Sequence, residues 1–153
     1  MKKQDFNWKE KYAENLTTAA AAIKTIKAGD SIFVGTGCAQ PEYLVKELVE
    51  NSSNIYDATI VHLLTVGDAP YVQEKYRDRF NMNTFFVADN IRDALNSGIG
   101  DYSPIFLSEI PEEFESGRIP VDVALISVSP PDQTGLCSLG VSVDIIKSAI
   151  GNA

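Results

Sequence analysis

Apolar and polar positions along the chain switch repeatedly between two periods, and the switching predicts the architecture. Ala19, Ala20, Ile23 and Ile26 follow Leu16 at helical spacing, the mark of an amphipathic helix over residues 19–27. Thr17 and Thr18 stand where a hydroxyl can cap its free N–H groups. Gly29 suits the left-handed turn after it. Residues 31–34 then read as a short buried strand. A loop over 35–40 leads to Pro41, a residue at home in a helix's first turn. Leu44, Val45, Leu48 and Val49 mark the apolar face of that second helix.

The same pattern continues. Residues 59–64 are apolar on both faces and predict a central strand. Residues 66–79 are irregular with part helix, and 83–88 predict another strand. Asn90 is placed to cap a helix ending near Ser97. Ser108 is placed to cap a short one, with Pro111 in its first turn and Glu109, Glu112, Glu113 and Glu115 around it. Residues 121–128 are the strongest strand. After a proline- and glycine-rich loop, Val143, Ile145, Ile146, Ala149 and Ile150 form the apolar side of a helix starting near Ser142. Strands alternating with helices predict an α/β fold, a mostly parallel sheet with flanking helices on both faces. Ligands of such sheets gather at the carboxyl ends of strands. The glycine-containing loops 35–41 and 129–140 both follow strands, so both are expected to face one crevice.

Composition narrows the function. The chain has 153 residues, 44% hydrophobic and 22% charged, enough for one domain with a real core. Its 13 Lys and Arg against 21 Asp and Glu leave a net charge of −8. That charge disfavours nucleic acid and anionic membranes as partners. No apolar run approaches the roughly 20 residues of a membrane helix, and the charged opening from Met1 to Asp5 predicts no export signal. Cys38 and Cys137 read as reduced cytoplasmic thiols. With a single histidine, His62, and no Cys-x-x-Cys, no metal is expected.

Each candidate motif has a plain structural alternative. The loop Gly35-Thr36-Gly37-Cys38-Ala39-Gln40-Pro41 fails the dinucleotide fingerprint at Gln40, and no phosphate-binding P-loop is present. Its glycines still allow close backbone approach to a ligand, or simply a tight turn. The second loop, Ser129-Pro130-Pro131-Asp132-Gln133-Thr134-Gly135, is stiffened by prolines. It suits a preorganised wall, or a turn in which Asp132 bonds nearby N–H groups. His62 reads first as a core histidine and secondarily as a catalytic one. The glutamate cluster reads as a solvated helix face, with acid–base work the alternative. Phe6, Trp8 and Tyr12 could dock an N-terminal arm onto the body. No G-x-S-x-G elbow supports serine hydrolase chemistry.

Taken in order, these residues resemble the N-terminal half of the acetyl-CoA hydrolase/transferase family, on its 4-hydroxybutyrate CoA-transferase branch. The resemblance runs from Trp8 and Tyr12 through Ala28-Gly29-Asp30, Gly35-x-Gly37-x-x-x-Pro41 and His62. It continues through Arg92, Gly98, Tyr102-Ser103-Pro104 and residues 107–111. Its most specific stretch runs from Asp122-Val123-Ala124 to Ser129-Pro130-Pro131-Asp132-x-x-Gly135-x-x-Ser138-Leu139-Gly140. It implies a CoA-transferase-like fold built twice in one polypeptide, and transfer of coenzyme A, as substrate, between an acyl-CoA and a short-chain carboxylate. A glutamate would attack the thioester and carry CoA as a glutamyl thioester, splitting one hard step into easier ones. Carried over to this chain, Gly35, Gly37, Pro41 and His62 belong to the oxyanion and acyl region. Ser129, Pro130, Pro131, Asp132, Gly135, Ser138 and Gly140 belong to the active-site loop. The family's glutamate–x–glycine segment has no counterpart here, so residues 1–153 are expected to be a truncated N-terminal domain. Its C-terminal partner domain would supply the nucleophile, and its uncovered interface could favour homo-oligomers. An acetyl-CoA hydrolase, a non-catalytic CoA-binding module and a sugar-phosphate isomerase are the competing readings, since fold alone does not decide function.

Overall fold

The computed structural model describes residues 6–153; the charged opening from Met1 to Asp5 lies outside the described residues. Five strands, β1 (Ser31–Val34), β2 (Ala58–His62), β3 (Phe80–Thr84), β4 (Asp101–Tyr102) and β5 (Val123–Leu125), form one sheet in the order β4-β3-β2-β1-β5. Every pairing is parallel. The helices are α1 (Trp8–Lys11), α2 (Ala19–Ile23), α3 (Glu42–Glu50), α4 (Asp89–Asn96), α5 (Ile110–Glu115) and α6 (Ile146–Gly151).

The period of two in the strands divides the core between the sheet's faces. Ile32, Val34 and Ile60 point to one side, where they meet Ile23 of α2, Val45 and Leu48 of α3 and Ile91 of α4. Phe33 and Val61 point to the other, against Ile110 and Phe114 of α5 and Ile146 and Ala149 of α6. The rings of Phe33 and Phe114 meet edge to face at 5.8 Å. The layered α/β architecture is as the sequence predicts.

Several boundaries differ, each for a local reason. Helix α2 stops at Ile23 because the Thr25 hydroxyl donates to the Ala22 carbonyl at 2.7 Å, competing with the helical ladder. Thr18 does cap its start, accepting from the Ala21 amide. Pro41 sits just before α3, its carbonyl accepting from Val45. Strand β3 begins at Phe80 rather than 83: Phe80, Met82 and Thr84 are buried, while the intervening asparagines are satisfied by Asp57 and Ser103. Its ladder still extends forward, since the Phe85 and Phe86 amides donate to the carbonyls of His62 and Leu63. Helix α4 starts at Asp89, so Asn90 does not cap it and instead donates to the Gly67 carbonyl at 2.6 Å. Glu109, not Ser108, occupies the cap position of α5, with Pro111 in the first turn as expected.

Strand β5 is three residues long rather than eight. Among the described residues it pairs only with β1, and that partner ladder closes where the Gly35 amide donates to the Leu125 carbonyl at 2.8 Å. Beyond Gly35 the first loop turns away, and the β1/β5 pairing ends at Leu125. Helix α6 begins at Ile146 instead of near Ser142, because Asp144 holds the preceding segment by side-chain bonds to Thr36 and to the Ile145 amide.

Candidate active site

The strand order creates the site. From β1 the chain winds outward through β2 and β3 to β4, then returns to place β5 on the opposite side of β1. The segments leaving β1 and β5 therefore diverge above adjacent carboxyl ends, which opens a crevice at this switch point. The two glycine-containing loops do converge there. One hollow of about 660 Å³ is lined by Pro41, Cys38 and Gln40 on one side and Ile126, Ser127 and Val128 on the other. An adjoining hollow of about 260 Å³ runs between Cys38 and Ala39 and the strip formed by Ser129, Ser138 and Gly140.

The structure sorts the predicted loop residues into three places. Pro41, Ser129, Ser138 and Gly140 line the crevice. Gly35 and Gly37 shape the corner of the first wall from within. The Gly35 amide is committed to Leu125, and the Gly37 amide donates to the Leu64 carbonyl at 2.9 Å. These glycines thus contribute space: a Cβ on Gly35 would stand 3.3 Å from the Ala39 carbonyl oxygen. Pro130, Pro131, Asp132 and Gly135 lie outside the lining, in the tip of an exposed loop that bonds to itself. There the Ser129 amide donates to the Ser138 carbonyl, and the Asp132 carboxylate accepts from the Thr134 hydroxyl and from the amides of Thr134 and Leu136. Those bonds hold the Asp132 carboxyl below the usual carboxylate range, with the Thr134 hydroxyl the largest influence.

His62 sits beneath the crevice at the end of β2, 1% exposed. Its Nδ1 lies 3.2 Å from the Thr84 hydroxyl, and its Nε2 has no partner among the described residues. Burial pushes its pKa down to about 4, so the ring is neutral at pH 7. Around it lies a layer of buried polar side chains. Gln40 accepts from the Thr65 hydroxyl and the Gly67 amide and donates to the Asp68 carbonyl at 2.9 Å. Gln40 had no role in the sequence reading beyond breaking a fingerprint. A polar side chain in the place of a glycine was itself the available clue to this network.

Charge is sparse in the crevice. Among the described residues, neither hollow is lined by lysine or arginine, and Glu42 is the one carboxylate in either lining. Its Oε1 would stand 2.9 Å from a Cβ on Gly67, so the carboxylate leans over the loop after β2 and away from the second wall. Lys46 and Lys75 border a separate groove of about 640 Å³ between α3 and residues 68–76. Among the described residues, no three His, Cys, Asp or Glu side chains gather as a metal site.

Residues 1–153 match the family model described as the acetyl-CoA hydrolase/transferase N-terminal domain. The chain belongs to the acetyl-CoA hydrolase/transferase family. It is 42% identical over 146 residues to the 4-hydroxybutyrate coenzyme A transferase of Clostridium kluyveri, covering 95% of this chain and 34% of that protein. It is 43% identical over 130 residues to the succinyl-CoA:acetate/propanoyl-CoA:succinate CoA transferase of Fasciola hepatica, covering 84% of this chain and 27% of that one. The fold superposes on the crystal structure of 4-hydroxybutyrate CoA-transferase from Porphyromonas gingivalis with a TM-score of 0.75 at 27% identity, over 96% of this chain and 33% of that chain. The chain thus spans about a third of the length of the curated relatives it matches. The acetyl-CoA hydrolase/transferase resemblance and the CoA-transferase-like fold stand as the sequence predicts.

Proposed function

We propose that residues 1–153 form the N-terminal part of a cytoplasmic CoA-transferase that moves CoA between an acyl-CoA and a short-chain carboxylate. The observation that carries this reading is the two-walled crevice at the β1/β5 switch point, where Glu42, the carboxylate in its lining among the described residues, leans toward the loop after β2. The lengths of the curated relatives leave room for a C-terminal part to supply the nucleophile. In this reading its glutamate attacks the thioester carbonyl and the CoA thiolate leaves, forming an acyl–glutamyl anhydride. The thiolate then attacks the glutamyl carbonyl, releasing the acyl group as carboxylate and leaving glutamyl-CoA. The acceptor carboxylate reverses these steps. Each addition develops an oxyanion that fixed donors stabilise.

The chain's own contribution is shape. Gly35 and Gly37 give the acyl group room, Pro41 fixes the corner, and Ser129, Ser138 and Gly140 form the facing wall. A crevice lined by no lysine or arginine among the described residues suits the acyl and pantetheine end of an acyl-CoA. The neutral His62 supports the floor and carries no charge to the reaction.

Acetate-dependent transfer from butyryl-CoA, measured for the full-length polypeptide and for residues 1–153 alone, tests the proposal. Turnover is expected only in the full-length protein. Robust turnover by residues 1–153 would overturn it. Acyl-CoA loss that proceeds equally without acetate would instead mark a hydrolase.

A further inference from the structure

We infer that Asp144 is a positioning residue that clamps the two walls of the crevice together through Thr36. For its catalytic consequence the inference rests on the crevice being the acyl-transfer site; the clamp itself does not.

Thr36 is 1% exposed and lies at the corner of the first wall. The amides on either side of it fix that corner to the sheet, Gly35 to Leu125 and Gly37 to Leu64. From there its hydroxyl donates to Asp144 Oδ2 at 2.5 Å, across 108 positions of sequence. The other carboxylate oxygen, Oδ1, accepts from the Ile145 amide at 2.6 Å. Asp144 follows the second wall by four residues and directly precedes Ile145 and Ile146, both buried in the core beneath α5. One carboxylate therefore joins the first wall to the anchored root of the second. Gly37 completes the junction, since a Cβ there would stand 3.2 Å from the Ser142 hydroxyl oxygen.

Among the described residues this is the side-chain hydrogen bond that links residues 35–41 to residues 126–145. Short bonds from a hydroxyl to a carboxylate are among the stronger neutral-to-ionic contacts. Asp144 is otherwise exposed, so water can take the place of Thr36 and the fold should survive the loss. What changes is the spacing of the walls. Displacement of a reacting group by an ångström can lower rates by up to about a hundredfold.

The test uses the full-length protein. Thr36→Val keeps the branched shape and removes the hydroxyl; Thr36→Ser restores it; Asp144→Ala breaks the clamp from the other side. Amide hydrogen exchange without substrate should speed up in both residues 36–40 and residues 143–146 for Thr36→Val, and in residues 36–40 for Asp144→Ala. Thr36→Ser should exchange as the wild type does. With butyryl-CoA and acetate, Thr36→Val should lose about tenfold in kcat/KM, and Thr36→Ser should recover it at an unchanged melting temperature. Exchange confined to the mutated segment, or a Thr36→Ser protein as impaired as Thr36→Val, would overturn the clamp. Coupled exchange in a protein whose wild type transfers no CoA would uphold the clamp and refute the functional reading instead.

Discussion

The two walls of the crevice have similar sequences and opposite physics. Both are short stretches of glycine, proline and small hydroxyls after a strand. The first, with the floor beneath it, is built from buried polar groups bonded to distant parts of the chain: Thr36 to Asp144, Gln40 to Thr65, His62 to Thr84. The second is exposed and bonds almost entirely to itself, around Asp132 and between Ser129 and Ser138. Burial raises the penalty for an unmet polar group, while an exposed group can always turn to water. Buried Gln40 and His62 in the first wall and its floor should therefore report a disturbance as lost global stability, while Thr36, tied to the exposed Asp144, should loosen locally. The second wall should report it as local loosening.

The sharpest way to test that difference is acid. His62 is buried neutral, with its pKa near 4 in the fold against an ordinary value of 6.5. Between those values the unfolded chain binds a proton that the folded chain does not, so stability falls as pH drops from 6.5 and the loss is complete below about pH 4. At about 1.4 kcal/mol per pH unit, the loss comes to about 3 kcal/mol. Urea unfolding of the wild type and His62→Gln across this range isolates it: the wild type's advantage should shrink by that amount on acidification. A constant difference would show that the floor is not dry. Next in size is Gln40→Leu, which leaves Thr65, 1% exposed, without its acceptor. It should cost about 2 kcal/mol and lower the melting temperature cooperatively. A merely local increase in amide exchange would erase the contrast between the walls.

The same contrast explains what the sequence could disclose. Strand β1 was legible to the residue because all four positions are buried and the run is bracketed by Gly29-Asp30 before it and Gly35 after it. Strand β3 was displaced because Asn81 and Asn83 look unlike strand residues until Asp57 and Ser103 are brought beside them. The convergence of the two loops was legible as an expectation, but it depended on β5 lying next to β1, a pairing across about ninety residues that no local pattern encodes. Asp132 as a self-bonded turn was legible because its partners lie within four positions. Thr36, Gln40 and Asp144 were not, because each finds its partner 25 or more residues away. The contact between the N-terminal arm and the second wall lay between these extremes: Tyr12 was visible as a docking aromatic, and its seat at Gly135 was not.

That seat supplies the next test. Gly135 has φ +91°, and a Cβ there would fall 2.5 Å from the Tyr12 hydroxyl oxygen. Gly135→Ala should cost about 1 kcal/mol through the backbone alone and lift Tyr12 from the loop, seen as faster exchange in residues 8–15. A variant as stable as the wild type with Tyr12 still seated would mean the loop tip shifts freely as a unit.

The smallest effect is the most discriminating. Asp132 is fully exposed, so Asp132→Ala should leave the melting temperature within error of the wild type while residues 132–138 exchange faster. Because its bonds to Thr134 and Leu136 hold the carboxyl below its ordinary range, the protection they give should persist above the ordinary carboxylate value and fade as pH falls through the depressed one. The same acid titration thus acts on both walls in different windows. The buried floor weakens globally between pH 6.5 and 4, and the exposed tip loosens locally at lower pH still. A measurable fall in global stability on Asp132→Ala at neutral pH would show that the second wall is coupled to the core more tightly than its self-contained bonding implies, with the Thr36–Asp144 junction the route for that coupling.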